Sequence, residues 1–75
     1  MLRFTLRNNI DAISIRVEMN GKESMREITA LISEYWGRDD VMLMKRYNLL
    51  DMDRTIGENL ENGDTVDVIP DLTKL

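Results

Sequence analysis

The 75-residue sequence contains neither cysteine nor histidine. Without cysteine there is no disulfide, no thiolate metal ligand and no thiol chemistry. Without histidine the commonest zinc and haem ligand is missing, and so is the usual general base near neutral pH. A nucleophilic triad would lack its central imidazole. These gaps lead to the expectation that the chain is not an enzyme and carries no cofactor or metal. Proline occurs once, at Pro70. The longest apolar runs are pieces such as Val41-Met42-Leu43-Met44, far short of the ~20 residues that cross a bilayer. Signal peptide, low-complexity tract and internal repeat are all lacking. Acidic residues outnumber basic ones, 14 to 10, for a net charge of −4. That balance opposes nonspecific attraction to nucleic acid or anionic membrane surfaces. The expectation is a cytoplasmic monomer with no nucleic-acid or membrane partner.

What is present is patterned. Leu2, Phe4 and Leu6 alternate with Arg3, Thr5 and Arg7, the period-two signature of a half-buried strand. Asn8-Asn9 is a turn signal. A second alternation follows, with Ile13, Ile15, Val17 and Met19 set against Ser14, Arg16 and Glu18. Two such runs joined by a short polar turn predict an antiparallel hairpin. The period then changes. Met25, Ile28, Leu31, Ile32 and Tyr35 recur at helical steps, Ser24 and Glu27 have capping-box spacing, and Gly37 suits a left-handed stop. These signals predict a helix over 25–36. Strands are expected at Val41 to Lys45 and Asn48 to Leu50, a tight helical turn at Thr55-Ile56-Gly57-Glu58, and a last strand from Thr65 to Ile69 that Pro70 ends. No pattern is legible in residues 71–75.

The order is β-β-α-β-β-β. An amphipathic helix and an amphipathic sheet each need the other's cover, so the helix should cross one face of a mixed sheet. The first and last strands would then lie side by side at its centre. The residues predicted to be buried are Phe4, Leu6, Ile13, Ile15, Val17, Met25, Ile28, Ile32, Leu43, Leu50, Ile56, Leu60, Val66 and Val68.

This order resembles the β-grasp of the ubiquitin-like family. Leu49-Leu50-Asp51-Met52-Asp53-Arg54-Thr55-Ile56 is similar to the family's Leu-Glu-Asp-Gly-Arg-Thr-Leu, and Ile13-Ser14-Ile15-Arg16-Val17-Glu18 to its Ile-Thr-Leu-Glu-Val-Glu. The likeness runs from Met1 to Ile69 and implies an α+β ubiquitin-like domain over 1–70 with a short tail at 71–75. The helix-to-strand loop lacks the family's Pro-Pro. The tail Pro70-Asp71-Leu72-Thr73-Lys74-Leu75 lacks the Gly-Gly that modifiers and sulfur carriers present for adenylation. The resemblance therefore implies a non-conjugating protein-binding module, comparable to the ubiquitin-like component of bacterial type VII secretion. The alternative is a modifier or sulfur carrier whose Gly-Gly lies beyond Leu75.

Matched by position, the family's partner-binding patch falls on Met44 and Ile69, with Ile10 loosely equivalent, Asp67 between them and Lys45 beside Met44. Partners would then be other proteins, met on the open sheet face. The plainer reading is that Met44 and Ile69 are scattered surface apolars. Trp36, Tyr47 and Met52 form a second candidate apolar site, against which Trp36 reads as a lid over the core. Met42, Met44 and Met52 suit an adaptable surface. Asp51-Met52-Asp53 opens like a calcium loop, but no Gly follows at the sixth position and no Glu at the twelfth. Asp39-Asp40 reads as a solvated loop pair more readily than as an acid/base site.

Overall fold

The two opening alternations form the hairpin. β1 (Leu2–Asn8) and β2 (Ile13–Met19) run antiparallel, from Leu2 opposite Met19 to Asn8 opposite Ile13. The structure, a computed structural model, describes residues 1–74, so the tail's last residue, Leu75, lies outside the described residues. After the hairpin come α1 (Arg26–Trp36), β3 (Val41–Lys45), β4 (Asn48–Leu49), α2 (Ile56–Asn59) and β5 (Thr65–Pro70). A 3₁₀ turn at Leu72–Lys74 gives the tail a structure that the sequence did not signal. The five-stranded sheet has the order β2-β1-β5-β3-β4. β5 lies parallel to β1 and antiparallel to β3, so the first and last strands are neighbours at the centre. With α1 across one face, this is the ubiquitin-like β-grasp.

The core is filled by Phe4 and Leu6 from β1, Met25, Ile28 and Ile32 from α1 and its approach, Leu43 from β3, Ile56 and Leu60 around α2, and Val66 and Val68 from β5. Every one of them is among the residues that the patterning predicts. Ile15, Val17 and Leu50 are half-buried and pack against this cluster. Ile13 is a correction: it is 46% exposed. Its parity places it on the helix side opposite Asn8, but it is the first residue of an edge strand. Alternation sets the side of a sheet and says nothing of the depth of cover. Tyr35 corrects the helical stripe in the same way, at 69% exposed. It stands in the last turn, where its neighbour Trp36 packs against the core instead.

Local chemistry explains how the ends are held. Gly37 closes α1 at φ +63°, donating its N–H to the Ser33 carbonyl. The box expected at Ser24 and Glu27 does not form, and the helix begins at Arg26. Ser24 is drawn instead into a bridge with Thr55, and its Oγ accepts from the Arg26 N–H, at 3.2 Å, rather than from Glu27. The approach to α1 is clamped to the approach to α2. The Met25 N–H donates to the Arg54 carbonyl at 3.0 Å and the Gly57 N–H to the Gly21 carbonyl at 2.8 Å. The box at Thr55 and Glu58 does form, with Thr55 Oγ1 accepting from the Glu58 N–H at 3.2 Å and Glu58 Oε1 from the Thr55 N–H at 3.0 Å.

Asn8, read as part of a turn, is the last residue of β1 and is buried. Its Oδ1 accepts from the Ile10 and Asp11 N–H groups at 2.9 and 3.1 Å, and its Nδ2 donates to Asp11 Oδ2 at 2.9 Å. Arg38 then grips Asp11 through both carboxylate oxygens, at 2.6 and 3.1 Å, and ties the hairpin turn to the loop after α1.

A denaturant series should separate these contributions. Ile28→Ala should cost about 2–5 kcal/mol through lost transfer energy and a cavity. Gly57→Ala places a better helix former in α2, yet its Cβ would sit 3.0 Å from the Gly21 carbonyl oxygen. The expected result is a loss of roughly 1–3 kcal/mol from overpacking; a gain would contradict the clamp.

Acid should loosen the same ties. Asp11 is held below the ordinary carboxylate range by hydrogen bonds from Arg38 and Asn8. Glu58 is lowered by the Thr55 backbone and hydroxyl. Burial alone would raise Asp64, but the Glu61 N–H and Lys45 outweigh it, and the net shift is downward. A carboxylate lowered in the folded state adds stability that is complete above its unfolded pKa and is lost as pH falls through the folded one. Unfolding free energy should therefore stay level from neutrality to about pH 5 and fall below about pH 4. Asp11→Asn should flatten that acid slope; an unchanged slope would exclude Asp11 from it.

Candidate protein interface

Parity along each strand sorts the sheet into two faces. Because Leu6, Leu43, Val66 and Val68 are buried, Arg7, Met44, Asp67 and Ile69 face the other way. The pairing registers place Leu49, Met44, Asp67, Arg7 and Ser14 in one row across all five strands. Met42 stands opposite Ile69 in a neighbouring row. Four apolar side chains thus gather on β4, β3 and β5. Met42, Met44 and Ile69 are half-buried, and Leu49 is 60% exposed.

Asp67 sits between this apolar group and the charged half of the face. Arg7 Nε donates to its Oδ1 at 2.6 Å and Asn9 Nδ2 to the same oxygen at 3.0 Å. The Arg7 hydrogen bond holds Asp67 below the ordinary carboxylate range, against burial, which acts the other way. The same contact raises Arg7. Asp67 is therefore a neutralised, fixed part of the surface.

The β3–β4 turn is unusual in composition. Arg46 and Tyr47 both have positive φ, +50° and +69°. A two-residue hairpin loop favours that backbone because it matches strand twist, and Asn-Gly normally supplies it. Side chains at such angles cost of order 1 kcal/mol per residue. The turn nevertheless holds the Tyr47 ring 95% exposed at the rim of the open face.

Two residues assigned to the patch lie elsewhere. Lys45 shares the parity of Leu43, and its ammonium reaches Asp64 Oδ2 at 3.0 Å and the Asn59 carbonyl at 3.3 Å. It braces the segment before β5. Ile10, in the β1–β2 turn, lines a surface groove with Arg38, Asp39, Asp40 and Pro70. The structure brings Met44, Asp67 and Ile69 together and places Ile10 beside Pro70, in that groove at the end of β5. Asp39 in turn accepts from Ser33 Oγ.

Leu49 joins the patch beside Met44, although matching by position to the family does not include it. The signal was there: Leu50 was predicted to face inward, so alternation sends Leu49 out. The second apolar site does not assemble, because Trp36 and Met52 both pack against the core while Tyr47 stands exposed in the β3–β4 turn. Among the described residues no cluster of acidic side chains has the grouping of a metal site, and no helix is long and apolar enough to cross a membrane.

No protein-family profile matches the sequence, and no curated protein matches it. Solved structures do: 252 chains resemble it, so the architecture by itself selects no function. One is the crystal structure of ATBAG1 in complex with HSP70. It matches with a TM-score of 0.79 over 96% of this chain, at 16% sequence identity. This chain spans 41% of the length of that one. At such an identity the likeness is one of fold, and the fold is the ubiquitin-like β-grasp.

Proposed function

We propose that the chain is a non-catalytic ubiquitin-like module that binds other proteins through the open face of its sheet. The observation that carries this reading is the gathering of Met42, Met44, Leu49 and Ile69 on a face that α1 does not cover, with Arg7, Asp67, Thr5 and Thr65 beside them. An apolar centre with a charged and polar rim is the anatomy of a modest protein interface. Methionines at two of the four positions suit it to partners of different shape. Support also comes from ATBAG1, which shares the fold and whose structure is a complex with HSP70.

Catalysis has no place in this proposal, because imidazole and thiol are both missing from the sequence. Non-conjugation is part of the proposal too, in keeping with residues 70–75, which contain no Gly-Gly. The proposal includes a cytoplasmic monomer that meets neither nucleic acid nor membrane, in keeping with the acidic net charge. A gene that continues past Leu75 into Gly-Gly would replace non-conjugation with a modifier or sulfur-carrier role.

The test begins with proteins captured on the immobilised chain and identified by mass spectrometry. Met44→Ala and Leu49→Ala should each weaken the recovered complex by upwards of ~1 kcal/mol and leave the unfolding midpoint nearly unchanged. Tyr35→Ala, on the exposed side of α1, should do neither. Loss with Tyr35→Ala alone, and not with Met44→Ala or Leu49→Ala, would move the interface to the helix and end the proposal.

A further inference from the structure

The open face is charged against the sign of the molecule. Arg3, Arg7 and Arg16 project from it by strand parity, and Arg46 lines one groove with Arg7, Thr65 and Asp67. Against these four stand Glu18 and Asp67, which leaves the face two charges positive in a chain of net charge −4. The remainder of the molecule therefore carries six negative charges net. Two of the arginines are already neutralised, Arg3 by Glu18 at 2.7 Å and Arg7 by Asp67 at 2.6 Å. Arg16 and Arg46 hold no ion pair among the described residues. They flank the Thr65–Thr5 strip from opposite sides, Arg16 on β2 directly opposite Thr5 and Arg46 in the groove with Thr65.

From this arrangement we infer the class of partner: a short acidic protein segment that sets an apolar anchor on Met42, Met44, Leu49 and Ile69 and carboxylates on Arg16 and Arg46. The inference rests on the proposed interface and adds the chemistry of what lies on it. Guanidinium forks with free donors recognise carboxylates in bidentate geometry. Sheet dimensions set the spacing. Met44 and Arg16 are three strands apart, about 14 Å across at ~4.8 Å per strand. Arg46 lies two residues from Met44, about 7 Å along the strand. In an extended ligand at ~3.3 Å per residue the carboxylates fall about two to five residues from the anchor. A polyanion such as nucleic acid gains little here: the face is only weakly positive, and the rest of the surface repels it.

Peptide display on the intact chain tests this. The selected consensus should pair two apolar residues with acidic residues two to five positions away. The synthetic consensus peptide should bind about tenfold more weakly to Arg16→Glu or Arg46→Glu, and more weakly at high salt, because these pairs are exposed and screened. Lys22→Glu, in the loop before α1, should change its affinity less than twofold. A consensus with no acidic enrichment, or affinity unmoved in both arginine variants, overturns the acidic partner. The interface itself survives that result if Met44→Ala still weakens peptide binding, and falls with it if Met44→Ala has no effect. Failure to select any binder overturns both. Tighter binding of a short oligothymidylate than of the peptide overturns the acidic segment in favour of nucleic acid, and sedimentation showing a dimer that the peptide cannot dissolve overturns it in favour of a second copy.

Discussion

β5 enters the sheet between β1 and β3, and the register of those two pairings decides what solvent sees. Leu6 stands beside Val66 and Leu43 opposite Val68, so both valines point into the core. Asp67 and Ile69 must then point out, next to Arg7, Met44 and Met42. A slip of one residue would bury Asp67 and expose the valines, because the side-chain period of a strand is two. Burial of two valines is worth several kcal/mol, whereas a buried unpaired carboxylate is strongly unfavourable. The same constraint that builds the core therefore builds the outer surface. The proposed interface is the far side of the hydrophobic effect that folds the chain.

Polar ties make that register durable at its ends. Asn8 organises the hairpin turn from a buried position, Arg38 binds the turn to the loop after α1, and Lys45 binds β3 to the loop before β5 through Asp64. Each of these polar or charged groups is spent on the fold. What stays available on the open face is the apolar cluster and two guanidiniums, Arg16 and Arg46, that hold no ion pair among the described residues. A surface that is apolar at one end and cationic at the other, on an acidic molecule, discriminates by attraction on one side and repulsion on the others.

The sequence disclosed most of the architecture because strand and helix periods differ and both were unbroken: Phe4 and Leu6, Ile28 and Ile32, Val66 and Val68 each announce a face. It failed where depth or long-range pairing decides. Ile13 and Tyr35 carry the right period and lie at element ends, where cover runs out. Ser24 has a capping residue's chemistry, but its pairing with Thr55, distant in sequence, overrides the box. Lys45 sits beside Met44 in the chain and across the sheet from it in space, and only the carboxylate at Asp64 explains where its ammonium goes. The Arg46-Tyr47 turn, without glycine or asparagine, offers no local sign of its positive φ angles. Met44, Leu49 and Ile69 were each visible as outward-facing from alternation once the strand order was assumed; that Leu49 lies directly beside Met44 needed the register.

The central claim is that the open face, and not the helix, meets the partner. Amide chemical shifts of the labelled chain during titration with a captured partner read this directly. The account predicts shifts concentrated at Met42, Met44, Leu49, Asp67 and Ile69. Shifts confined to α1 and the Trp36 end, with Met44 and Ile69 unmoved, would contradict it.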